Sequence, residues 1–308
     1  MISLTVVVPV YNAAESLAVL AERLETTLNG AGLDYEVLFV DDGSRDESWS
    51  KIQSLGARNP RLKGVNLMRN YGQHNALLCG IRSAQGEVVV TMDDDLQHRP
   101  EDIPKLLEKL SEGHDVVYGT PLGERHEFWR NLASVVTKLV LRKSLGSDAA
   151  GRISAFRAFR TRLRDAFASY HGAFVNIDVL LSWGGTRFSF VPVEHERRAA
   201  GGSNYTFYML VTHAFNMVTG YSVMPLQLAS LAGFLFTLFG LGILAYVLVS
   251  YLVQGTTVPG FPFLASVIAI FSGAQLFALG IMGEYLARMN FRMMDRPAYT
   301  VREKTNHG

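Results

Sequence analysis

Charge is missing from more than a quarter of the chain. From Ala199 to Gly283 there is no Asp, Glu, Lys or Arg, although the 308 residues carry 29 basic and 28 acidic side chains in total. Outside that stretch the charge density is that of an ordinary water-soluble domain, so two materials are joined in one polypeptide. Cysteine is nearly absent as well. Cys79 stands alone, which excludes a disulfide scaffold and a Cys/His zinc cluster and suits a reducing cytosol. The net charge of +1 gives no reason to expect nucleic acid as a partner, because phosphate-backbone binding calls for a strongly basic domain. No G-x-G-x-x-G follows the first β-type run and no G-x-x-x-x-G-K-[ST] occurs anywhere, so neither common nucleotide fingerprint is present. Disorder is excluded by the 48% of hydrophobic residues.

Within the uncharged stretch, residues 225–253 form an apolar run longer than the roughly 20 residues a helix needs to cross a bilayer core. A breaker-rich loop (QGTTVPGFP) follows, and a second run covers 263–287. The loop lacks Lys and Arg, whereas Arg197 and Arg198 precede the first run and Arg288, Arg292 and Arg296 follow the second. The pair therefore predicts a transmembrane hairpin with both termini cytoplasmic. Met1 leads within three residues into a β-type run, so no signal peptide is expected. Residues 201–224 are uncharged but mixed, with apolar side chains at helical spacing, and predict a helix lying in the membrane interface. Residues 288–308 are expected to be a cytosolic tail. Glycines on the hairpin, among them Gly233 and Gly280, suit close helix packing and a possible homo-oligomer.

Residues 1–200 alternate short β-branched runs with amphipathic stretches. Strands are predicted at Leu4–Val10, Tyr35–Val40, Lys63–Asn66, Val88–Met92 and Asp115–Tyr118, with helices near Ala14–Asn29, Asp46–Arg58, Gln73–Ser83 and Pro104–Glu112. This is the rhythm of an α/β domain with a mostly parallel sheet, and such sheets bind ligands at the carboxyl ends of their strands. Acids recur there. Asp41 and Asp42 follow the second strand; Asp93, Asp94 and Asp95 follow the fourth. Three consecutive carboxylates repel one another unless a cation sits among them, and hard oxygen ligands suit Mg²⁺ or Mn²⁺. Between Arg125 and Arg164 ten Lys or Arg face only Glu127 and Asp148, a composition suited to anionic headgroups or a lipid phosphate.

Five motifs in order, Val8-Pro9-Val10-Tyr11-Asn12, Val40-Asp41-Asp42-Gly43-Ser44, Asn70-Tyr71-Gly72-Gln73-His74, Asp93-x-Asp95-Leu96-Gln97 and Pro100-Glu101, resemble the polyprenyl-phosphate glycosyltransferases of inverting family two. That group contains the dolichol-phosphate mannose synthases. Through Arg69 to Ala76 the likeness extends to the bacterial undecaprenyl-phosphate 4-deoxy-4-formamido-arabinose transferase type. The resemblance implies a GT-A (Rossmann-like) catalytic domain that moves a sugar from a nucleotide diphosphate, UDP by preference, to a polyprenyl phosphate at the cytoplasmic face of a bacterial inner membrane. It implies that Pro9, Tyr11, Asp41, Asp42 and Gln97 bind the donor and that Asp93 and Asp95 handle the metal and diphosphate. Arg198, Ser203 and Tyr205 resemble a juxtamembrane phosphate grip, to which Arg125, Arg130 and Arg157 add positive charge.

The pattern departs from the family in three places. Ala13 stands for a glutamate, Asn204 for a lysine, and Gly151 for an aspartate six residues before Arg157. Asp148 is the nearest replacement for the last, with Asp178 a second candidate whose alternative reading is an acid on an exposed helix face. A phosphate acceptor is already largely dianionic at neutral pH. It needs little help from a base, and Asp148 is expected to orient groups while Asp95 carries the essential role. The rival readings are a processive polysaccharide synthase, which would bring a Gln-x-x-Arg-Trp motif not present here, and a non-catalytic membrane scaffold.

Overall fold

The computed structural model describes residues 2–121, 153–172, 175–194, 196, 224–254, 260–294 and 297–305. Arg125, Arg130, Asp148, Arg198, Ser203, Tyr205 and the expected interfacial helix, save Met224, lie outside the described residues. The chain divides into two units, one formed by Met1–Val211 with Asp295–Gly308 and the other by Thr212–Met294.

The first unit is built on a mixed sheet. Its strands are β1 (Leu4–Val10), β2 (Tyr35–Asp41), β3 (Leu62–Leu67), β4 (Val88–Thr91), β5 (Val116–Pro121), β6 (Arg157–Arg160), β7 (Phe188–Val193) and β8 (Val301–Lys304), in the order β7-β5-β6-β4-β1-β2-β3-β8. The β4-β1-β2-β3 core is parallel, while β6 and β8 run antiparallel to their neighbours. All seven residues of β1 are buried, as expected for a central parallel strand covered on both faces. Helices α1 (Leu17–Gly30), α2 (Ser48–Arg58) and α4 (Ile103–Ser111) pack Leu20, Leu24, Ile52 and Leu106 against Val6, Val8 and Phe39 on one face. On the other face α3 (Gln73–Ser83) and α5 (Ile177–Gly184) bring Leu77, Leu78 and Leu180 onto Val7, Val40 and Tyr118.

Pro9 sits near the end of this central strand, where its pairing with β4 runs out. Val10 accepts from the Asp42 N–H on the β2 side, and Val7 accepts from the Met92 N–H on the β4 side. By alternation Pro9 faces β4 where that pairing runs out, its last register pair being Val7 with Thr91, so the missing N–H falls at the margin of the ladder.

The second unit contains α6 (Met224–Gln254) and α7 (Phe261–Met293). Residues 225–253 and 270–290 are long and apolar enough to cross a membrane, and none of either window is buried. Large side chains such as Phe234, Tyr246, Leu276 and Phe277 are exposed. Within the pair, Phe236 and Phe271 meet edge to face at 5.6 Å, and Gly240 lies beside the Phe271 ring. The expected tail is only partly a tail. Helix α7 continues to Met293, and residues 301–304 return to the sheet of the first unit as β8. There the Gly64 N–H donates to Thr305 Oγ1 at 2.8 Å and Asn66 Nδ2 donates to Glu303 at 3.2 Å.

Candidate active site

Four loops at the carboxyl ends of β1 to β4 are stapled together by short polar side chains. After β1, the Asn12 N–H donates to Ser44 Oγ at 2.9 Å while Asn12 Oδ1 accepts from the Arg45 N–H at 2.8 Å. Asn12 adopts φ 52°, a left-handed conformation that Asn tolerates better than most residues. Ala13 and Ala14 N–H groups donate to Ser48 and Asp46, so the β1 and β2 loops form one rigid rim. Tyr11, expected in the nucleoside pocket, stands 43% exposed on it.

The two acids after β2 are buried, at 1% and 3% exposure for Asp41 and Asp42. Asp41 accepts from the Ser44 N–H, and burial raises its carboxyl above the ordinary value. Asp42 accepts the Tyr71 N–H at 2.7 Å on one oxygen and the Gly72 N–H at 2.8 Å on the other. Burial pushes its carboxyl up to about 6 against the pull of these bonds. Gly43 (φ 70°) lies so close to the next loop that a Cβ would stand 2.6 Å from the Arg69 carbonyl carbon. Only glycine fits there.

The acids after β4 are crowded. Asp94 Oδ2 accepts from the Tyr11 N–H at 3.3 Å, and Asp95 Oδ1 accepts from the Gln97 N–H at 3.1 Å. Leu96 takes φ 61° to make this turn. Asp93 lies deep in the cleft with part of its surface open, and Gln73 Nε2 donates to its Oδ1 at 2.6 Å. Burial, then the charges of Asp95 and Asp94, push the Asp93 carboxyl up to about 7, with Arg157 and Gln73 pulling the other way. An aspartate raised this far by burial and by like charges beside it is in want of a cation. Among the described residues no three acids, histidines or cysteines converge as a metal site. Asp93 and Asp95 are the carboxylates that could hold a hard divalent ion, which would take its remaining ligands from phosphate and water.

The basic residue expected to grip phosphate from β6 has a partner within the fold. Arg157 is 2% exposed, ion-paired with Asp178, and 5.9 Å over the Tyr118 ring. Asp178, 6% exposed at the start of α5, also accepts from the Tyr118 hydroxyl at 3.0 Å. The exposed-face reading of Asp178 is corrected by its burial, and Arg157, paired with it, stands close enough to the site for its charge to act on Asp93. Gln97 links outward through its carbonyl, which accepts from the Glu196 N–H at 3.0 Å. Glu196 is held further by Arg23, at 3.1 Å. Gln73, Asn12 and Ser44 carry structural weight that sequence reasoning did not assign, although all three lie inside the motifs that carried the resemblance.

A parallel core with paired acids at its carboxyl edge and an Asp-x-Asp after β4 defines a GT-A domain. The chain belongs to glycosyl transferase family 2, whose sequence profile matches residues 5–167, and this domain is a nucleotide-sugar glycosyltransferase of that type. Solved structures agree on the fold. Glucosyl-3-phosphoglycerate synthase from Mycobacterium tuberculosis in complex with phosphoglyceric acid is 19% identical, with a TM-score of 0.50 over 70% of this chain and 78% of that one. The same enzyme with Mn²⁺, UDP-glucose and phosphoglyceric acid gives 19%, 0.51, 70% and 77%. Mannosyl-3-phosphoglycerate synthase from Rubrobacter xylanophilus gives 16%, 0.50, 70% and 72%.

Proposed function

We propose that the protein transfers a sugar from a nucleotide diphosphate, UDP by preference, to a polyprenyl phosphate at the cytoplasmic face of a bacterial inner membrane, with inversion at the anomeric carbon. The observation that carries this reading is the pair of apolar helices interrupting a glycosyltransferase domain. The chain leaves the first unit before α6 and rejoins its sheet at β8. Any membrane entered must therefore be crossed an even number of times, and two apolar windows meet that requirement. Anchoring of this kind supports an acceptor carried in the bilayer.

The chemistry follows from charge. The acceptor phosphate, with a second pKa of about 6, is mostly a dianion at neutral pH and a nucleophile without deprotonation. Its oxygen forms the new bond to the anomeric carbon as the bond to the diphosphate breaks on the opposite side, and no proton need move. Mg²⁺ or Mn²⁺ bound at Asp93 and Asp95 would neutralise the departing diphosphate. Mn²⁺ beside UDP-glucose in the mycobacterial synthase supports that choice. Asp41, Asp42 and the Tyr11 rim flank the nucleoside side of the same edge. Arg198, two residues beyond the anchored Glu196, together with Ser203, Tyr205, Arg125 and Arg130, would draw the lipid phosphate to this edge. Asp148 would orient groups near the transfer.

The test is to incubate purified protein with Mn²⁺, undecaprenyl phosphate and a panel of nucleotide sugars, with 3-phosphoglycerate as a parallel acceptor, and to identify products by mass. A glycosyl undecaprenyl phosphate is expected. Transfer to phosphoglycerate alone, or growth of a polymer, would overturn the lipid reading.

A further inference from the structure

Three loops of the site are joined by a short mechanical chain. Both oxygens of Asp42 are spent on consecutive amides of one loop, Tyr71 at 2.7 Å and Gly72 at 2.8 Å. The Gly72 N–H is shared with Asn70 Oδ1 at 3.0 Å. On its other side the loop abuts Gly43, where a Cβ would lie within 2.8 Å of the Arg69 Cα and the Asn70 nitrogen. Gly72, at φ 94°, then turns the chain into α3, whose first residue is Gln73. The Gln73 amide reaches across to Asp93 Oδ1 at 2.6 Å. A carboxylate flanked by Asp94 and Asp95 is pushed by its neighbours away from any shared focus. A fixed amide donor counters that push, and it occupies one oxygen while leaving Oδ2 to a cation.

We infer that Asp42 and Gln73 are positioning residues: Asp42 clamps the 71–72 loop, the loop sets Gln73, and Gln73 holds Asp93 in the orientation that receives a divalent ion. This rests on the proposed role of Asp93 as a metal ligand. Asp42 then acts on the site through the loop rather than through the nucleoside, since its oxygens are turned to backbone amides. Burial of the Asp42 side chain at the end of β2 holds the clamp in place, because a carboxylate there that lost its amide donors would be costly to leave unpaired. The metal end and the nucleoside end of the donor site are thereby one unit.

The experiment is a double-mutant cycle on Mn²⁺ binding, read by electron paramagnetic resonance in the presence of saturating UDP. UDP affinity in EDTA and thermal midpoints are measured alongside. Gln73→Leu keeps bulk but removes the donor, and is expected to weaken Mn²⁺ binding about tenfold with UDP affinity in EDTA and the thermal midpoint unchanged. Asp42→Asn accepts from only one of the two amides and is expected to cost a similar factor. The pair combined should cost little more than either alone, because links in series do not add. Wild-type Mn²⁺ affinity in Gln73→Leu, or a hundredfold loss in the double variant, would overturn the coupling while leaving Asp93 as a ligand. Absence of Mn²⁺ binding by the wild-type protein with UDP would remove the metal role of Asp93 itself, and this inference with it.

Discussion

Glu36, near the start of β2, and Asp93, just past the end of β4, are acids beside β1 at opposite ends of the same sheet. Glu36, 2% exposed near the start of β2, is answered on every side: Thr5 Oγ1 donates at 2.7 Å, the Gln85 N–H at 2.8 Å and Lys63 Nζ at 2.7 Å. Asp93, just past β4, has one amide and two more carboxylates beside it, with Arg157, already paired to Asp178, as the cation acting on it. Sheet geometry offers both sites equally, so the difference lies in what the sequence places around each acid. A carboxylate given a cation and two donors holds strands together. One surrounded by its own kind keeps a position open for something that arrives later.

The comparison can be broken most directly by removing charge from each end. Asp95→Ala should lower transfer by about a thousandfold or more with the circular dichroism spectrum intact, since it strips the diphosphate side of a ligand. Glu36→Ala should do the reverse. Turnover per folded molecule should persist, but the urea midpoint should fall by the equivalent of about 3 kcal/mol, the cost of orphaning buried partners. Asp93→Asn is expected to stabilise the metal-free protein by a few degrees while abolishing the thermal shift produced by Mn²⁺. The sign follows from proton counting. The folded carboxyl keeps its proton to about pH 7, whereas the unfolded chain releases it near the ordinary value. The folded state therefore binds more protons across that window and loses stability as pH rises through it. Metal-free wild type should show a falling thermal midpoint from pH 5 to 8, and Asp93→Asn a flatter one. Smallest is Asp148→Ala, expected to slow transfer about tenfold, or 1.4 kcal/mol. A loss equal to that of Asp95→Ala would give Asp148 the central role instead.

Much of this contrast was legible in the sequence, and the illegible part has physical causes. The bounds of β1 and α3 match the hydrophobic pattern to the residue, other elements drift by one to three positions at their ends, and α7 runs on past its expected end at residue 287 to Met293. The acids at the strand termini are visible because a parallel sheet orders its loops along one edge. Strand β6 was missed because Arg157 and Arg160 make it look like solvent-facing surface. Arg157 becomes a core residue only through Asp178, 21 positions away, and pairing at that range leaves no local periodicity. Strand β8 hid in a charged terminus for the same reason. Gln73 was in view as part of a motif, but its task exists only because Asp42 fixes the loop before it.

The return of β8 also sets an order in time. Strand β3 exposes one edge until residues 301–304 exist, and its Gly64 waits for Thr305, 241 positions later. Both apolar helices are synthesised in between. During that interval the nascent domain carries an unpaired ladder of the kind that recruits foreign strands, and the segment that closes it is made only after both helices. Completion of the catalytic sheet is in this way a signal that the hairpin has already been made.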